Sequence, residues 1–318
     1  MKRYLHIYSL TVADIDASRR MTAGAVLCYF QDTIGRFLSE ANVSAFDLLE
    51  EGRTWMILEF HGSLSGEMPA WPGIVQVEVF LSEITSLKAY VDYIFRDVRG
   101  NIVTRGTSVW VMINLKTRRP VPCGEVQRFT QQYDPRNHVP HLRYHFPDDG
   151  QSAGAVSMGH RVTRLETDFN GHMSNRDFVR LALSTIDPAA IEGRTIREIH
   201  VRFHQECLAG ETLDCVCAAG KDGRITIRIA KPDGTAACLV STVWILKEHH
   251  ARTGSKEKGF SATRAASVNL PNTSEKSSTL SQRMLNVSTF PIDTSISKPL
   301  LTWRTRRVFD GLYALLKE

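Results

Sequence analysis

The chain has 318 residues, of which 42% are hydrophobic, and its 39 basic and 34 acidic side chains give a formal charge of +5. This composition is typical of a water-soluble globular protein, and the length allows two domains of roughly 150 residues each. No apolar run approaches the ~20 residues that a membrane-spanning helix needs, so stable membrane insertion is not expected.

The net positive charge belongs to the C-terminal part of the chain. Residues 249–318 hold 11 basic and 5 acidic side chains, whereas residues 1–248 hold 28 and 29. The body is therefore near neutral, and a nucleic-acid partner is not expected from its charge. The six cysteines include no C-x-x-C pair and follow no secretory leader, so we expect reduced thiols and a cytoplasmic location.

The first half of the chain predicts one helix among several strands. Residues 1–10 alternate from residue 3 or 4 onward, as a strand does. Residues 23–41 place their apolar side chains at helical spacing on one side. Runs rich in strand-forming residues follow; these candidate strands are 54–63, 74–84, 87–97 and 102–115.

The second half repeats this order after a polar, proline-containing stretch at 124–155 that we interpret as a linker. Its apolar helical face is formed by Phe178, Leu181, Ala182 and Ile186. The candidate strands that follow are 195–205, 211–219, 224–230 and 236–247, with Asp-Gly pairs where hairpin turns are expected.

Three matched motifs in the same order indicate an internal duplication. The first motif has an aspartate, a methionine and a hydroxyl residue before the helix in both halves. The second is an Arg-Thr pair that opens a strand, and the third is a hydroxyl residue followed by Val-Trp in the closing strand. The matched residues are Asp16, Met21 and Thr22 with Asp168, Met173 and Ser174; Arg53 and Thr54 with Arg194 and Thr195; and Ser108, Val109 and Trp110 with Thr242, Val243 and Trp244.

One helix followed by antiparallel strands, twice over, predicts the α+β class. Such a unit buries its core when the sheet curls around the helix, and two units side by side form a double hotdog. We expect an N-terminal unit at 1–123, the linker at 124–155 and a C-terminal unit at 156–248. Residues 251–299 include 16 Ser and Thr among 49, which predicts disorder within a basic tail at 249–318. A short amphipathic helix is expected at 300–317.

A polar segment directly before the second helix is the main candidate site. Asp168, Asn170 and His172 alternate along the chain, so an extended segment would present all three side chains on one side. Ser174 is a good N-cap, and the helix start beside Asn175 offers free N–H groups that stabilise a developing oxyanion. The alternative interpretation is an Asx-rich turn that only caps the helix.

The end of the strand predicted from residue 195 supplies a second candidate. Glu206 there is a candidate general base, since partial burial disfavours a charged carboxylate. The alternative is an exposed charge at a strand end. Cys207 is a candidate nucleophile, although the sequence identifies no histidine that would activate it. His200 and His204 form an H-x-x-x-H, but four residues on a strand span about 13 Å, so no metal site is expected.

These residues resemble motifs of the fatty acyl–acyl carrier protein thioesterases of plants and bacteria, over roughly residues 3–247. The segment 168–175 is similar to that family's D-x-N-x-H-V-N-N pattern, with Met173 and Ser174 where valine and asparagine are usual. The segment 202–207 is similar to its strand that ends in Glu-Cys. The close of its first hotdog unit is similar to 107–112 followed by Thr117, Arg118 and Arg119.

The resemblance implies a double hotdog that hydrolyses acyl thioesters without a cofactor or metal, with acyl carrier protein as its partner. It also implies that the first unit shapes the acyl pocket and the second carries the catalytic residues. By position these are Asp168, Asn170, His172 and Glu206, with Ser174, Asn175 and Cys207 as neighbours. The first unit has Asp16, Ser18 and Arg20 at the equivalent places and is expected to be non-catalytic. A homodimer is one assembly that we expect.

In the expected mechanism Glu206 and Asn170 position and deprotonate a water molecule. The helix N-terminus and His172 polarise the carbonyl, and Asp168 orients the site. Two rivals share the fold, an acyl-CoA thioesterase and a dehydratase of 3-hydroxyacyl chains. A non-catalytic acyl-binding regulator is the rival from a different class, and Glu206 argues against it.

Overall fold

The computed structural model describes residues 2–64, 67–138, 146, 156–220 and 223–246. The predicted tail at 249–318, its disorder and its terminal helix lie outside the described residues. In the described part, no helix is long and apolar enough to cross a membrane.

The described strands follow the predicted ones closely and add several short elements. The strands are β1 (Tyr4–Ser9), β2 (Arg53–Leu64), β3 (Ile74–Ile84), β4 (Lys88–Arg96), β5 (Ile102–Asn114), β6 (Pro120–Val121), β7 (Val156–Arg161), β8 (Arg194–Phe203), β9 (Thr212–Ala219), β10 (Arg224–Ala230) and β11 (Ala236–Leu246). The helices are α1 (Ala23–Glu40), α2 (Ala45–Glu50), α3 (Gln127–Thr130) and α4 (Asn175–Ser184). Short 3-10 helices lie at Val12–Asp14, Cys123–Glu125, Pro135–Asn137, Arg164–Glu166 and Pro188–Ile191.

The two halves contribute to one antiparallel sheet and use the same internal strand order. The first half runs β1-β3-β4-β5-β2, with β6 beside β5, and the second runs β7-β9-β10-β11-β8. Strands β2 and β8 pair at the centre, from Glu59 opposite Arg202 to Ser63 opposite Glu198. Equal strand order on both sides of this seam confirms the duplication and the double hotdog that the sequence predicts.

Each half wraps its part of the sheet around one main helix. The Thr22 hydroxyl caps α1, which buries Phe30, Ile34 and Leu38 in the same core as the strands. Full burial of one such side chain stabilises the fold by about 1.5–3 kcal/mol. Helix α4 takes the same place in the second half with a buried apolar face that includes Phe178, and it also contacts α1.

The matched motifs make matching hydrogen bonds. The Trp110 indole N–H donates to the Ser108 hydroxyl at 2.7 Å, and Trp244 donates to Thr242 in the same way at 2.9 Å. The Arg-Thr pairs lie at the start of β2 and β8. Shared side-chain bonds at shared places in the sheet indicate two copies of one structural unit.

The predicted linker begins with ordered structure in its described part. Residues 123–137 form short helical turns, and Phe129 is buried with its ring 4.5 Å from that of Trp55. Helical pieces of three or four residues are too short to leave a hydrophobic period, which is why the sequence suggested irregular chain here. Phe146 lies farther along, with its ring 4.7 Å from that of His200 on β8.

Candidate active site

The polar segment before α4 forms a tight turn. The Asp168 N–H donates to the His172 carbonyl at 2.8 Å, and the Gly171 N–H donates to the Asp168 carbonyl at 3.0 Å. Gly171 has a φ of +78°, which glycine adopts without steric cost. The expectation of an extended segment is therefore wrong, because the chain reverses between Asp168 and His172. The alternative of an Asx turn describes the backbone correctly.

This turn leads directly into α4. Ser174 is the N-cap: its hydroxyl accepts from the Asp177 N–H at 3.1 Å and donates to the Asp177 carboxylate at 2.6 Å. The Ser174 N–H also donates to the Glu166 carbonyl at 2.8 Å. These bonds fix the first turn of the helix, which begins at Asn175 two residues after Met173. The N-cap prediction for Ser174 is confirmed.

The segment after β8 runs alongside the turn. The N–H groups of His204 and Gln205 both donate to the Ala237 carbonyl, at 2.8 and 3.1 Å. The Met173 N–H donates to the Cys207 carbonyl at 2.7 Å, and His172 forms a β-bridge with Leu208. Backbone bonds therefore place residue 206 beside residue 172 even though 34 positions separate them in the chain.

Glu206 lies between the two halves of the protein. Its Oε2 lies 3.4 Å from the Nε2 atom of His172, and its Oε1 accepts a 2.6 Å hydrogen bond from Nη2 of Arg118. The Glu206 side chain is only 17% exposed, as is that of Arg118. Glu206 is thus not an exposed charge at a strand end, and the first half supplies one of its two partners.

A ring nitrogen of His172 lies beside the Glu206 carboxylate. This Nε2 atom is buried and, among the described residues, makes no well-aligned hydrogen bond, although the Glu206 carboxylate is 3.4 Å away. Buried polar atoms are normally hydrogen-bonded, and the Nε2 atom of His160 beside Glu166 is in the same situation, so this feature assigns no role to His172 by itself. A substrate oxygen or a water molecule is a suitable partner for the Nε2 atom of His172.

Asp168 and Asn170 lie on the exposed side of the turn. The Asp168 carboxylate accepts the Asn170 N–H at 2.8 Å and so stabilises the turn that carries His172. Within the part of the chain that the structure describes, the Asn170 side chain makes no hydrogen bond. The structure therefore brings His172 and Glu206 together, whereas Asp168 acts on them through the backbone.

Cys207 is completely buried in the core beside the site. Burial raises the pKa of its thiol to about 12, so it stays protonated near neutral pH. Nucleophilic cysteines need a thiolate, which arises beside positive charge and in partly exposed places. The surroundings of Cys207 favour a packing role rather than a nucleophilic one.

The first half contains the same turn without the same chemistry. The Met21 N–H donates to the Pro69 carbonyl at 2.9 Å, as Met173 does to Cys207, and Arg20 bridges to Ala70 as His172 does to Leu208. Residue 68, directly before Pro69, therefore corresponds to Glu206, and it is a methionine. Arg20 donates to the Met68 carbonyl at 2.8 Å and pairs with the exposed Glu67.

A metal site is not evident in the described ranges. They contain no group of three or more His, Cys, Asp or Glu side chains placed to hold a metal ion. His200 lies in β8 with its Nε2 3.1 Å from a Glu59 carboxylate oxygen, and His204 follows directly after that strand. The interpretation of the H-x-x-x-H as extended chain is confirmed.

The sequence predicts His172 and Glu206 as site residues but does not predict the contact of Arg118 with Glu206. Arg118 lies in the turn between β5 and β6, 88 residues before Glu206. Its motif was visible in the sequence, at the close of the first unit. Its proximity to Glu206 depends on how the two halves pack, and no local pattern encodes that packing.

The chain matches two family models over most of its described length. A model of the acyl-ACP thioesterase N-terminal domain matches residues 1–126, and one of the acyl-ACP thioesterase C-terminal domain matches residues 151–246. The N-terminal match ends after β6, and the C-terminal match ends with β11.

Curated relatives carry the same family description. The chain is 22% identical over 225 residues to oleoyl-acyl carrier protein thioesterase 2, chloroplastic, of Arabidopsis thaliana, a match that covers 66% of this chain and 59% of that protein. It is 22% identical over 234 residues to acyl-[acyl-carrier-protein] hydrolase FATB2, chloroplastic, of Cuphea viscosissima, covering 68% and 55% respectively. The chain thus spans less than two thirds of the length of these relatives.

Solved structures support the fold. The 12:0-ACP thioesterase from Umbellularia californica superposes with a TM-score of 0.67 at 17% identity, covering 78% of this chain and 98% of that one. An acyl-ACP thioesterase from Bacteroides thetaiotaomicron gives a TM-score of 0.65 at 18% identity, covering 77% and 98%. At these identities the likeness shows the double hotdog fold.

Proposed function

Because the chain belongs to the acyl-ACP thioesterase family, we propose that it hydrolyses fatty acyl–acyl carrier protein to free fatty acid and carrier. The observation that carries the proposal is the pairing of Glu206 with His172, 3.4 Å apart at the start of α4. Two relatives, named as an oleoyl-acyl carrier protein thioesterase and an acyl-[acyl-carrier-protein] hydrolase, support the choice of substrate.

We propose direct attack by water. Glu206 takes a proton from the water, whose oxygen bonds to the acyl carbon to give a tetrahedral intermediate. The free N–H groups at the start of α4 and the His172 imidazole stabilise the oxyanion. The C–S bond then breaks, and the proton passes from Glu206 to the leaving thiolate. Every group in this sequence belongs to the chain, to water or to the substrate.

The remaining polar residues support this reaction in different ways. Asp168 holds the turn through the Asn170 N–H, and the turn sets the position of His172. Exposed Asn170 has a free side-chain amide among the described residues, which can hold the attacking water once the acyl group excludes bulk solvent. Cys207 packs in the core beneath Glu206.

We place the acyl chain in the first half. An apolar cleft between α1 and the sheet is nearly filled by its own lining and must widen to admit an acyl chain; it is lined by Ile34, Leu38, Trp55, Leu81, Ala89, Val91, Trp110 and Phe129. The Leu115 N–H donates to the Gly52 carbonyl at 2.8 Å, so the start of β2 lies beside the turn that carries Arg118.

The first half is proposed to be non-catalytic because Met68 stands where Glu206 does and has no proton to exchange. Fatty-acid biosynthesis is the process that this reaction would end. A cytoplasmic location and a homodimer stay predictions. The plant relatives are named as chloroplastic proteins.

The test is release of free thiol from three substrates in parallel: fatty acyl-ACP, the same acyl group on CoA, and a 3-hydroxyacyl-ACP. We expect the highest kcat/KM with fatty acyl-ACP. Higher kcat/KM with acyl-CoA would reassign the carrier. Loss of water from the 3-hydroxyacyl substrate would indicate a dehydratase, and binding without any thiol release would indicate a regulator.

A further inference from the structure

Arg118 is the contribution of the first half to the candidate site. Its Nη2 donates to Oε1 of Glu206 at 2.6 Å, and both side chains are 17% exposed. Charge-assisted hydrogen bonds of this kind are short and strongly directional. This hydrogen bond joins the half that is proposed to be non-catalytic directly to the proposed base.

Hydrogen bonds within its own turn hold the backbone around Arg118 in place, independently of the contact with Glu206. The Asn114 side chain accepts the N–H groups of Lys116 and Thr117, at 3.0 and 2.8 Å, and the Arg118 N–H donates to the Asn114 carbonyl at 2.7 Å. Arg118 itself has a φ of +58°. Arg19 and Asn42 also have positive φ values, so this left-handed backbone assigns no role by itself; at Arg118 it sets the direction in which the side chain leaves the turn.

The neighbouring Arg119 provides a contrast within the same turn. Arg119 is exposed, whereas Arg118 is half-buried and turned to the other half of the protein. These two adjacent residues carry the same charge but differ in burial and in contact with Glu206. An electrostatic effect of the turn on carrier docking should involve both arginines, while an effect on the base should involve Arg118 alone.

The two oxygens of the Glu206 carboxylate have different partners. Arg118 binds Oε1, which leaves Oε2 on the side of His172 at 3.4 Å. The terminal torsion of a glutamate side chain is soft, so its carboxylate rotates readily. A guanidinium bound to one carboxylate oxygen limits that rotation. Oε2 is thereby directed to the place where the proposed water must lie.

We infer that Arg118 is a positioning residue that holds the Glu206 carboxylate in the orientation needed to deprotonate water. The candidate active site then contains residues of both halves. Arg118 of the first half, which is proposed to be non-catalytic, holds the orientation of the proposed base Glu206 in the second half. This inference rests on the proposed function, since it assigns a role within thioester hydrolysis. Arg118 acts through Glu206 and has no direct role toward the substrate.

A double-mutant cycle tests the inference. Arg118→Gln, Glu206→Gln and the double variant are assayed with an acyl thioester of a small thiol, which removes any effect on carrier docking. Misplacement of a catalytic group by about 1 Å costs up to ~10² in rate. We therefore expect Arg118→Gln to lower kcat by about 10- to 100-fold with KM changed less than about threefold. In the Glu206→Gln background the same change should cost less than about twofold.

Two further variants separate positioning from structure. Arg119→Gln is the matched control and should keep wild-type kcat. Arg118→Lys keeps the positive charge but replaces the planar guanidinium with a compact ammonium on a more flexible stem, so kcat should lie between those of the wild type and Arg118→Gln. If Arg118→Gln does not fold, as judged by its melting transition, Arg118→Lys carries the cycle with Glu206→Gln.

The outcomes distinguish this inference from the proposed function. An active wild type in which the Arg118 and Glu206 losses multiply would overturn the positioning role and leave the function standing. A rise in KM alone, or an equal loss in Arg119→Gln, would overturn it as well. A wild type inactive on every acyl thioester would instead overturn the proposed function.

Discussion

Replacing Glu206 with glutamine removes the proposed base with little change in shape. Glutamine has nearly the same volume, and its carbonyl oxygen can still accept the hydrogen bond that Arg118 donates at 2.6 Å in the native protein. The amide cannot take a proton from water. A lost general base costs about 10²–10⁴ in rate, which corresponds to about 2.7–5.4 kcal/mol of activation free energy.

Cys207→Ala is the matched control because residue 207 is the next in the chain. Its thiol is fully buried, and burial raises its pKa to about 12. Only about one thiol in 10⁵ is then ionised near neutral pH, by the ordinary titration relation. Loss of the sulfur removes core contacts that stabilise the fold by about 1 kcal/mol, so the variant should fold and keep most of its activity.

Both variants are assayed for thiol release at saturating acyl-ACP, and their melting temperatures are measured alongside. We expect kcat of Glu206→Gln to fall by at least about 10² and kcat of Cys207→Ala to stay within about threefold of the wild type. The reverse pattern, with Cys207→Ala inactive and Glu206→Gln active, would refute attack by water and indicate a thiol nucleophile.

Three other predictions concern the duplication, acid stability and the tail. His172→Ala should lower kcat by about 10² or more while Arg20→Ala leaves it nearly unchanged; equal losses would indicate two active sites or a site shared between both turns. Burial, and then the charge of Arg202, lowers the pKa of His204 to about 4. An unfolded histidine titrates near ~6.5, so the unfolded chain binds more protons between these values and the free energy of unfolding should fall as pH falls from ~6.5 to ~4, by up to ~3 kcal/mol. Urea titrations at several pH values should show that the free energy of unfolding falls less with falling pH in His204→Gln than in the wild type; an equal fall in both proteins would contradict this. Removal of residues 249–318, which carry 11 basic and 5 acidic side chains, should shift the melting temperature by only a few degrees, since ~1 kcal/mol corresponds to ~2–4 °C in a protein of this size. Any loss of kcat/KM toward acyl carrier protein should fade above ~0.15 M salt, and a loss independent of salt would show that the tail is part of the folded body.

Most of the sheet was predictable because its signals are local. Alternating and continuous apolar runs located β2 to β5 and β8 to β11 to within about two residues. The elements α2, β6 and β7 were missed; all three are short, with six, two and six residues. The duplication predicted that the two halves join side by side, because two units with the same strand order can pair through one equivalent strand from each.

The candidate site was predictable only in part. His172 and Glu206 stand in motifs that the sequence displays, and the backbone bonds of the turn bring them together. The alternation of Asp168 and Asn170 with His172 suggested an extended chain, but an aspartate that accepts the N–H two residues on, followed by a glycine, favours a turn. Arg118 reaches Glu206 through packing of the two halves, which has no local signature.

The most direct test of the central claim, that Glu206 directs water onto the acyl carbon, is a single turnover in ¹⁸O-labelled water. Enzyme in excess over fatty acyl-ACP is quenched after one turnover, and mass spectrometry follows both the fatty acid and the peptide that contains Glu206. Direct attack places the label in the released fatty acid and leaves the Glu206 peptide unlabelled. An unlabelled fatty acid together with ¹⁸O in Glu206 would contradict the account, because it would mean that the Glu206 carboxylate attacked the thioester, expelling the thiolate, and that water then opened the mixed anhydride at the glutamyl carbon.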